Sequence, residues 1–265
     1  MAPKERRAKP VVFTSGAVIG ALGGLIGLGG AEFRLPLLIG LFGFGALEAI
    51  ILNKAMSLVV VASALPFRAF SVPYSQVFER WDIIVTLLTG SLAGAWLGAG
   101  WATQLKSKTL YRVLAVLLVG IAAALLLGHE ASTSGIPLLH GVALAITGVA
   151  AGFGIGVVAA LMGVAGGELL IPTIVLLFGA DVKLAGSLSL AVSLPTMIVG
   201  FTRYSRDQSF SIIRAQRPFI LIMALGSILG TFIGGQLLGL IPTTYLLPLL
   251  AAILLVSSVK VWRHG

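Results

Sequence analysis

Glu32, Arg34, Lys54 and Glu168 stand inside apolar sequence. An ionisable side chain is costly there and marks a pathway or a partner. Arg34 can hold an oxyanion in a forked contact, and Lys54 can add a compact point charge. Glu32 and Glu168 can carry coupling protons, or neutralise the basic pair. A plainer arrangement is also open, in which Glu32 and Arg34 pair at a membrane boundary and hold a loop. Asn53, Ser57, Ser63, Ser187 and Ser193 add polar groups at helical spacing. Serine often only bonds back to its own helix; matched positions in the two halves of the chain make a lining role worth testing. His129, His140 and His264 form no set with acids at metal-ligand spacing, and cysteine is absent. Cys-ligated zinc, iron–sulfur clusters and thiol catalysis are thereby excluded. No metal or cofactor is expected, and no convergent nucleophile–base set marks an enzyme.

The backbone around these charges is as informative as the charges. Gly27, Gly30, Glu32 and Pro36 recur 136 positions later as Gly163, Gly166, Glu168 and Pro172. The same offset carries Gly90, Ser91, Gly94 and Gly98 onto Gly226, Ser227, Gly230 and Gly234, while Ser57 and Ser63 match Ser187 and Ser193 at an offset of 130. Two copies of one unit are the organisational expectation. Gly29, Gly30, Gly166 and Gly167 allow close approach and free backbone N–H groups, and proline suits a first helical turn. Helices starting near Pro36 and Pro172 would aim partial positive charge into the bundle and favour an anion. The four-residue glycine spacing at 90–98 and 226–234 reads instead as close helix packing.

The elements that must carry these residues are membrane helices. The chain of 265 residues is 58% hydrophobic and 10% charged, with mean hydropathy +1.07. Soluble domains carry about 25% charged residues, so the expected class is an all-α polytopic membrane protein. Its division is a basic N-terminus at 1–10, a first repeat at 11–128, a loop at 129–138, a second repeat at 139–262 and a C-terminus at 263–265. Each repeat holds about four long spans, at 11–31, 46–66, 82–105 and 110–128, then 139–163, 181–201, 218–240 and 243–262. A short apolar segment at 35–44 or 169–179 reaches only about 16 Å and reads as a broken or re-entrant helix. Residues 1–31 have the outline of a signal peptide, but the repeat includes them, so a retained helix is expected.

The net charge of +9 sits in clusters: Lys4, Arg6, Arg7 and Lys9; Arg203, Arg206, Arg214 and Arg217; Lys260 and Arg263. Clusters at span ends follow the positive-inside rule and place the termini and the 203–217 loop in the cytoplasm of an inner-membrane protein. No basic stripe interleaved with aromatics supports nucleic-acid binding. Trp81, Trp101 and Trp262 near span ends read as interfacial anchors. If the short segments count as crossings, the repeats are inverted and Lys106, Lys108 and Arg112 are cytoplasmic. If they are re-entrant, the repeats are parallel and Arg68 and Arg80 take that side. Charge favours neither by more than one residue, with a slight lean to inversion.

Gly27–Leu37 and Gly163–Pro172, each followed by an Ala-x-Ser-Leu helix at Ala55–Leu58 and Ala185–Leu188, resemble the sulfite exporter TauE/SafE family over roughly residues 11–260. The resemblance implies a transporter of sulfite, organosulfonates or related small anions, usually in the export direction. Ala31 and Ala165 each replace a motif glycine, and Glu32-Phe33-Arg34 puts charges where many relatives are apolar. The resulting expectation is a secondary transporter working by alternating access. Arg34, Lys54, Gly29, Gly30, Pro36, Asn53, Ser57, Gly166, Gly167, Pro172 and Ser187 bind the anion. Glu32 and Glu168 couple it to a proton or sodium ion. A passive anion channel and a membrane subunit of a larger complex are the alternatives; coupling ion, direction and oligomeric state stay open.

Overall fold

The computed structural model describes residues 9–26, 30–68, 73–127, 139–237 and scattered helical positions between 252 and 263. All regular structure among them is helical: α1 (Lys9–Ile26), α2 (Ala31–Gly40), α3 (Ala46–Arg68), α4 (Tyr74–Glu79), α5 (Trp81–Gln104), α6 (Ser107–Leu127), α7 (Gly141–Met162), α8 (Gly167–Phe178) and α9 (Val182–Tyr204), then a 3-10 turn (Gln208–Ser211), α10 (Ile212–Ala215) and α11 (Arg217–Leu237). Five of the described helices are long and apolar enough to cross a membrane, over Ala46–Ser63, Trp81–Gln104, Gly141–Met162, Leu184–Tyr204 and Arg217–Gly234. The inter-repeat loop at 129–138 and most of the last expected span lie outside the described residues.

The two short helices start earlier than their prolines suggest. α2 begins at Ala31 and α8 at Gly167, so Pro36 and Pro172 sit inside their helices rather than at the starts. Left-handed glycines set the boundaries instead: Gly30 (φ 70°) and Gly166 (φ 83°) reverse the chain directly before each first turn. Each proline costs its helix one N–H, a loss that neighbouring helices can absorb at membrane depth. With ten and twelve residues, α2 and α8 rise about 15 and 18 Å, well short of the hydrocarbon thickness.

Two helix pairs approach so closely that their backbones touch. Along α1 and α11, Gly16 and Gly20 lie on the backbone of Met223 and Ser227, while Gly226, Gly230 and Gly234 lie on that of Phe13, Ala17 and Ala21. Along α5 and α7, Gly152 and Gly156 lie on Leu87 and Ser91, and Gly90, Gly94 and Gly98 on Val149, Phe153 and Val157. Lipid tails are as apolar as leucine, so association rests on such van der Waals contact, and small residues make it possible.

These contacts also give directions. Numbering rises together along α1 and α11 and along α5 and α7, so each pair is parallel. α5 and α9 are parallel as well, because Ser91 meets Thr196 at 2.8 Å while Trp96 and Gly100 meet Arg203. α3 runs against α9: Lys54 lies at Gly200, and Val61 packs with Met197 nearer the start of α9. One end of the bundle therefore gathers Lys9, Lys106, Lys108, Arg112, Arg203, Arg206, Arg214 and Arg217. The other carries Arg68, Arg80 and Lys183 together with Glu79, Asp82 and Asp181. α2 starts beside Ile19, midway along α1, and leads toward the basic end. α8 starts beside Ile155 and Ala159 and leads the opposite way, ending at Phe178, whose carbonyl accepts from Arg80 at 3.3 Å.

Candidate functional site

The starts of α2 and α8 bring three of the four buried charges together inside the bundle. Arg34, one turn into α2, is fully buried. Its Nη1 donates to Asn53 Oδ1 (3.3 Å) and Ser57 Oγ (3.1 Å) on α3, and its Nη2 to Ser227 Oγ (3.3 Å) on α11. The amide and the two hydroxyls orient the guanidinium, and Glu32, two residues away, lies within its electrostatic reach. Three elements converge on this one cation.

Glu32 and Glu168 occupy matching places in the first turns of α2 and α8. Their exposures are 0% and 2%, and the two side chains come within hydrogen-bonding reach of each other. Taken as carboxylates, all four of their oxygens lack a hydrogen-bond partner among the described residues. The positive ends of the two short helices, expected to face an external anion, thus face the protein's own acids first.

Lys54 is also fully buried but serves a different neighbour. Its Nζ donates to Ala159 O at 3.1 Å, and its stem lies against Gly200. Asn53 Nδ2 donates to Met162 O (3.1 Å) and Ala31 O (2.9 Å), and Tyr204 Oη donates to Ala160 O (2.9 Å). The last carbonyls of a helix have no intrahelical donor. At the end of α7 the N–H groups of Val164 and Gly163 serve Ala159 O and Ala160 O. Lys54 and Tyr204 add a second donor to each, Asn53 serves Met162 O, and an ammonium at a helix C-terminus also complements the dipole. Asn53 further ties this end to the first residue of α2. The structure therefore aims Lys54 at α7 and Arg34 at the Asn53–Ser57–Ser227 group.

The remaining expected residues divide. Gly30 and Gly166 set the helix starts, and Gly167 is the first residue of α8; Gly29 lies outside the described residues. Pro36 and Pro172 lie further along the helices. Ser187 and Ser193 are buried with hydroxyls that have no partner among the described residues, whereas Ser63 bonds back to Val59 O at 2.8 Å. Tyr204 and Ser227 are the two site residues that sequence reasoning missed. Ser227 recurs with Ser91 at the repeat offset, a signal hidden among the packing glycines beside it. Among the described residues no group of three or more His, Cys, Asp or Glu is placed to hold a metal ion.

The chain matches the family model described as sulfite exporter TauE/SafE over residues 12–261. No curated protein and no solved structure matches it. The match spans both short helices, the buried charges between them and every apolar helix that packs around them. On that ground the chain belongs to the sulfite exporter TauE/SafE family of membrane transporters.

Proposed function

We propose that the protein is a secondary transporter that exports a small oxyanion, sulfite or an organosulfonate, by alternating access between two inverted halves. The observation that carries this reading is Arg34: a fully buried guanidinium at the level where two broken helices begin, held by Asn53, Ser57 and Ser227 from two further helices. Paired interrupted helices at matching places in two halves are where transporters hold substrate. The anion docks on Arg34 and the hydroxyls around it, flanked by Gly30. In the second half Leu170 stands at the position of Arg34 and Ser187 at that of Ser57. Lys54 adds positive field from the next position on α3 and fixes the end of α7.

Inversion is supported by direction and by partner exchange. The first helix of each half (α1 or α7) packs along the third long helix of the other (α11 or α5), through glycines at matching positions. α3 and α9, the matching third elements, run in opposite senses. Each short helix then counts as a crossing, and the basic end is cytoplasmic in the inner membrane by the positive-inside rule. No gradient-independent energy source is implied, so the anion moves on its own gradient or on that of a coupled ion.

Thermal unfolding of the purified protein with sulfite, thiosulfate, small sulfonates and uncharged controls tests the reading. A ligand at a hundredfold excess over its dissociation constant stabilises by about 2.7 kcal/mol. Stabilisation by a sulfur oxyanion that disappears in Arg34→Met is the expected result. Equal stabilisation of both proteins would remove Arg34 from the site.

A further inference from the structure

We propose that Glu32 and Glu168 together form one proton-binding site that fastens the start of α2 to the start of α8, and that this proton is the ion coupled to anion movement. The coupling part rests on the transport reading above; the proton site stands without it.

Both side chains are buried, lie within reach of each other, and as carboxylates leave four oxygens without a partner among the described residues. Two ionised carboxylates so placed can only repel, because neither can donate. One proton turns one of them into a donor and closes an O–H···O bond between the two short helices. A metal cation would need further oxygen ligands, and no third acidic or histidine side chain joins the pair among the described residues. Arg34 is the charged group acting on the pair, through Glu32. Lys54 on α3 gives its ammonium to Ala159, and the Tyr204 hydroxyl on α9 donates to Ala160. The other titratable groups on packed elements stand at helix ends: Lys9 on α1, Glu48 on α3, Lys108, Tyr111 and Arg112 on α6, His140 before α7, and Lys183 and Arg203 on α9.

The consequence is mechanical. α2 belongs to the first half and α8 to the second, so the proton joins the parts that must separate. Its loss leaves two like charges between the helix starts and drives them apart. Its return closes them.

Infrared difference spectroscopy on the purified protein tests the site with no substrate present. The expected result is a protonated-carboxyl band in the native protein that titrates as one proton per chain. The band is lost in Glu32→Gln and equally in Glu168→Gln, because the introduced amide donates to the remaining carboxylate without needing a proton. Thermal unfolding of each variant shows that the fold persists. Replacing potassium with sodium leaves the band unchanged. Absence of the band at every pH where the protein is folded overturns the proposal. So does its survival in the double variant, or its abolition by sodium. Coupling is read in proteoliposomes, with sulfite as the probe and an internal pH dye. Sulfite entry that carries protons in the native protein but not in Glu168→Gln is expected. Sulfite movement without protons in the native protein overturns the coupling while leaving the site. Absence of any sulfite flux, with the band intact, overturns the transport reading instead.

Discussion

Arg34 and Lys54 look interchangeable in sequence and do different work in the fold. Arg34 spreads its N–H groups over two hydroxyls and an amide, whereas Lys54 spends its ammonium on the end of α7. Removing one member of a buried charged group leaves its neighbours unpaired. Arg34→Met takes a donor from Asn53, Ser57 and Ser227 and the nearby charge from Glu32. It should therefore unfold below the native temperature and lose stabilisation by sulfite. Arg34→Lys keeps the charge but not the fork, and each lost charge-assisted bond of about 1.5–3 kcal/mol weakens sulfite binding by about tenfold or more. Lys54→Met removes the ammonium from Ala159 O, which keeps the Val164 N–H at 3.0 Å, so the cost in thermal or denaturant unfolding should be about 1 kcal/mol or less. Charges inside apolar runs made Glu32, Arg34, Lys54 and Glu168 legible from sequence alone. Tyr204 was not, because a tyrosine at the end of an apolar stretch gives no sign that its hydroxyl reaches the carbonyl of Ala160 on another helix.

Among the described elements, the long helices fall within a few residues of their expected bounds, since about twenty apolar residues and flanking polar ones leave little choice. The starts of α2 and α8 were not legible in this way. Pro36 and Pro172 resemble first-turn prolines, yet the left-handed Gly30 and Gly166 open each helix earlier. Sequence can show that a glycine is present, but its φ is set by the packing of Gly30 on Ile19 and of Gly166 on Ile155 and Ala159. The glycine seams admit a clean comparison. A methyl group at Gly94 would press on the carbonyl of Phe153, which as backbone cannot swing aside, whereas one at Gly120 meets nothing within 4 Å. Gly94→Ala should lower stability by about 1–3 kcal/mol through overpacking, and Gly120→Ala should match the native protein in the same unfolding assay.

For the molecule as a whole, the charge tally could not choose between inverted and parallel halves, because both arrangements put almost the same number of basic residues inside. Contacts between distant segments give helix directions, α5 with α9 and α3 against it, and these favour the inverted arrangement proposed above. With no native cysteine, single cysteines report this directly. Lys106→Cys and Arg206→Cys should react with an impermeant reagent from the cytoplasmic side only, and Asp82→Cys and Asp181→Cys from the other. Labelling of Lys106→Cys and Arg206→Cys from opposite sides would contradict the inverted arrangement. Labelled sulfite flux through proteoliposomes reads whether a sulfur oxyanion crosses the membrane by way of Arg34. The native protein should give saturable flux, and Arg34→Met, folded and reconstituted to the same density, should give only the leak of empty vesicles. Undiminished flux through Arg34→Met would take Arg34 out of the path.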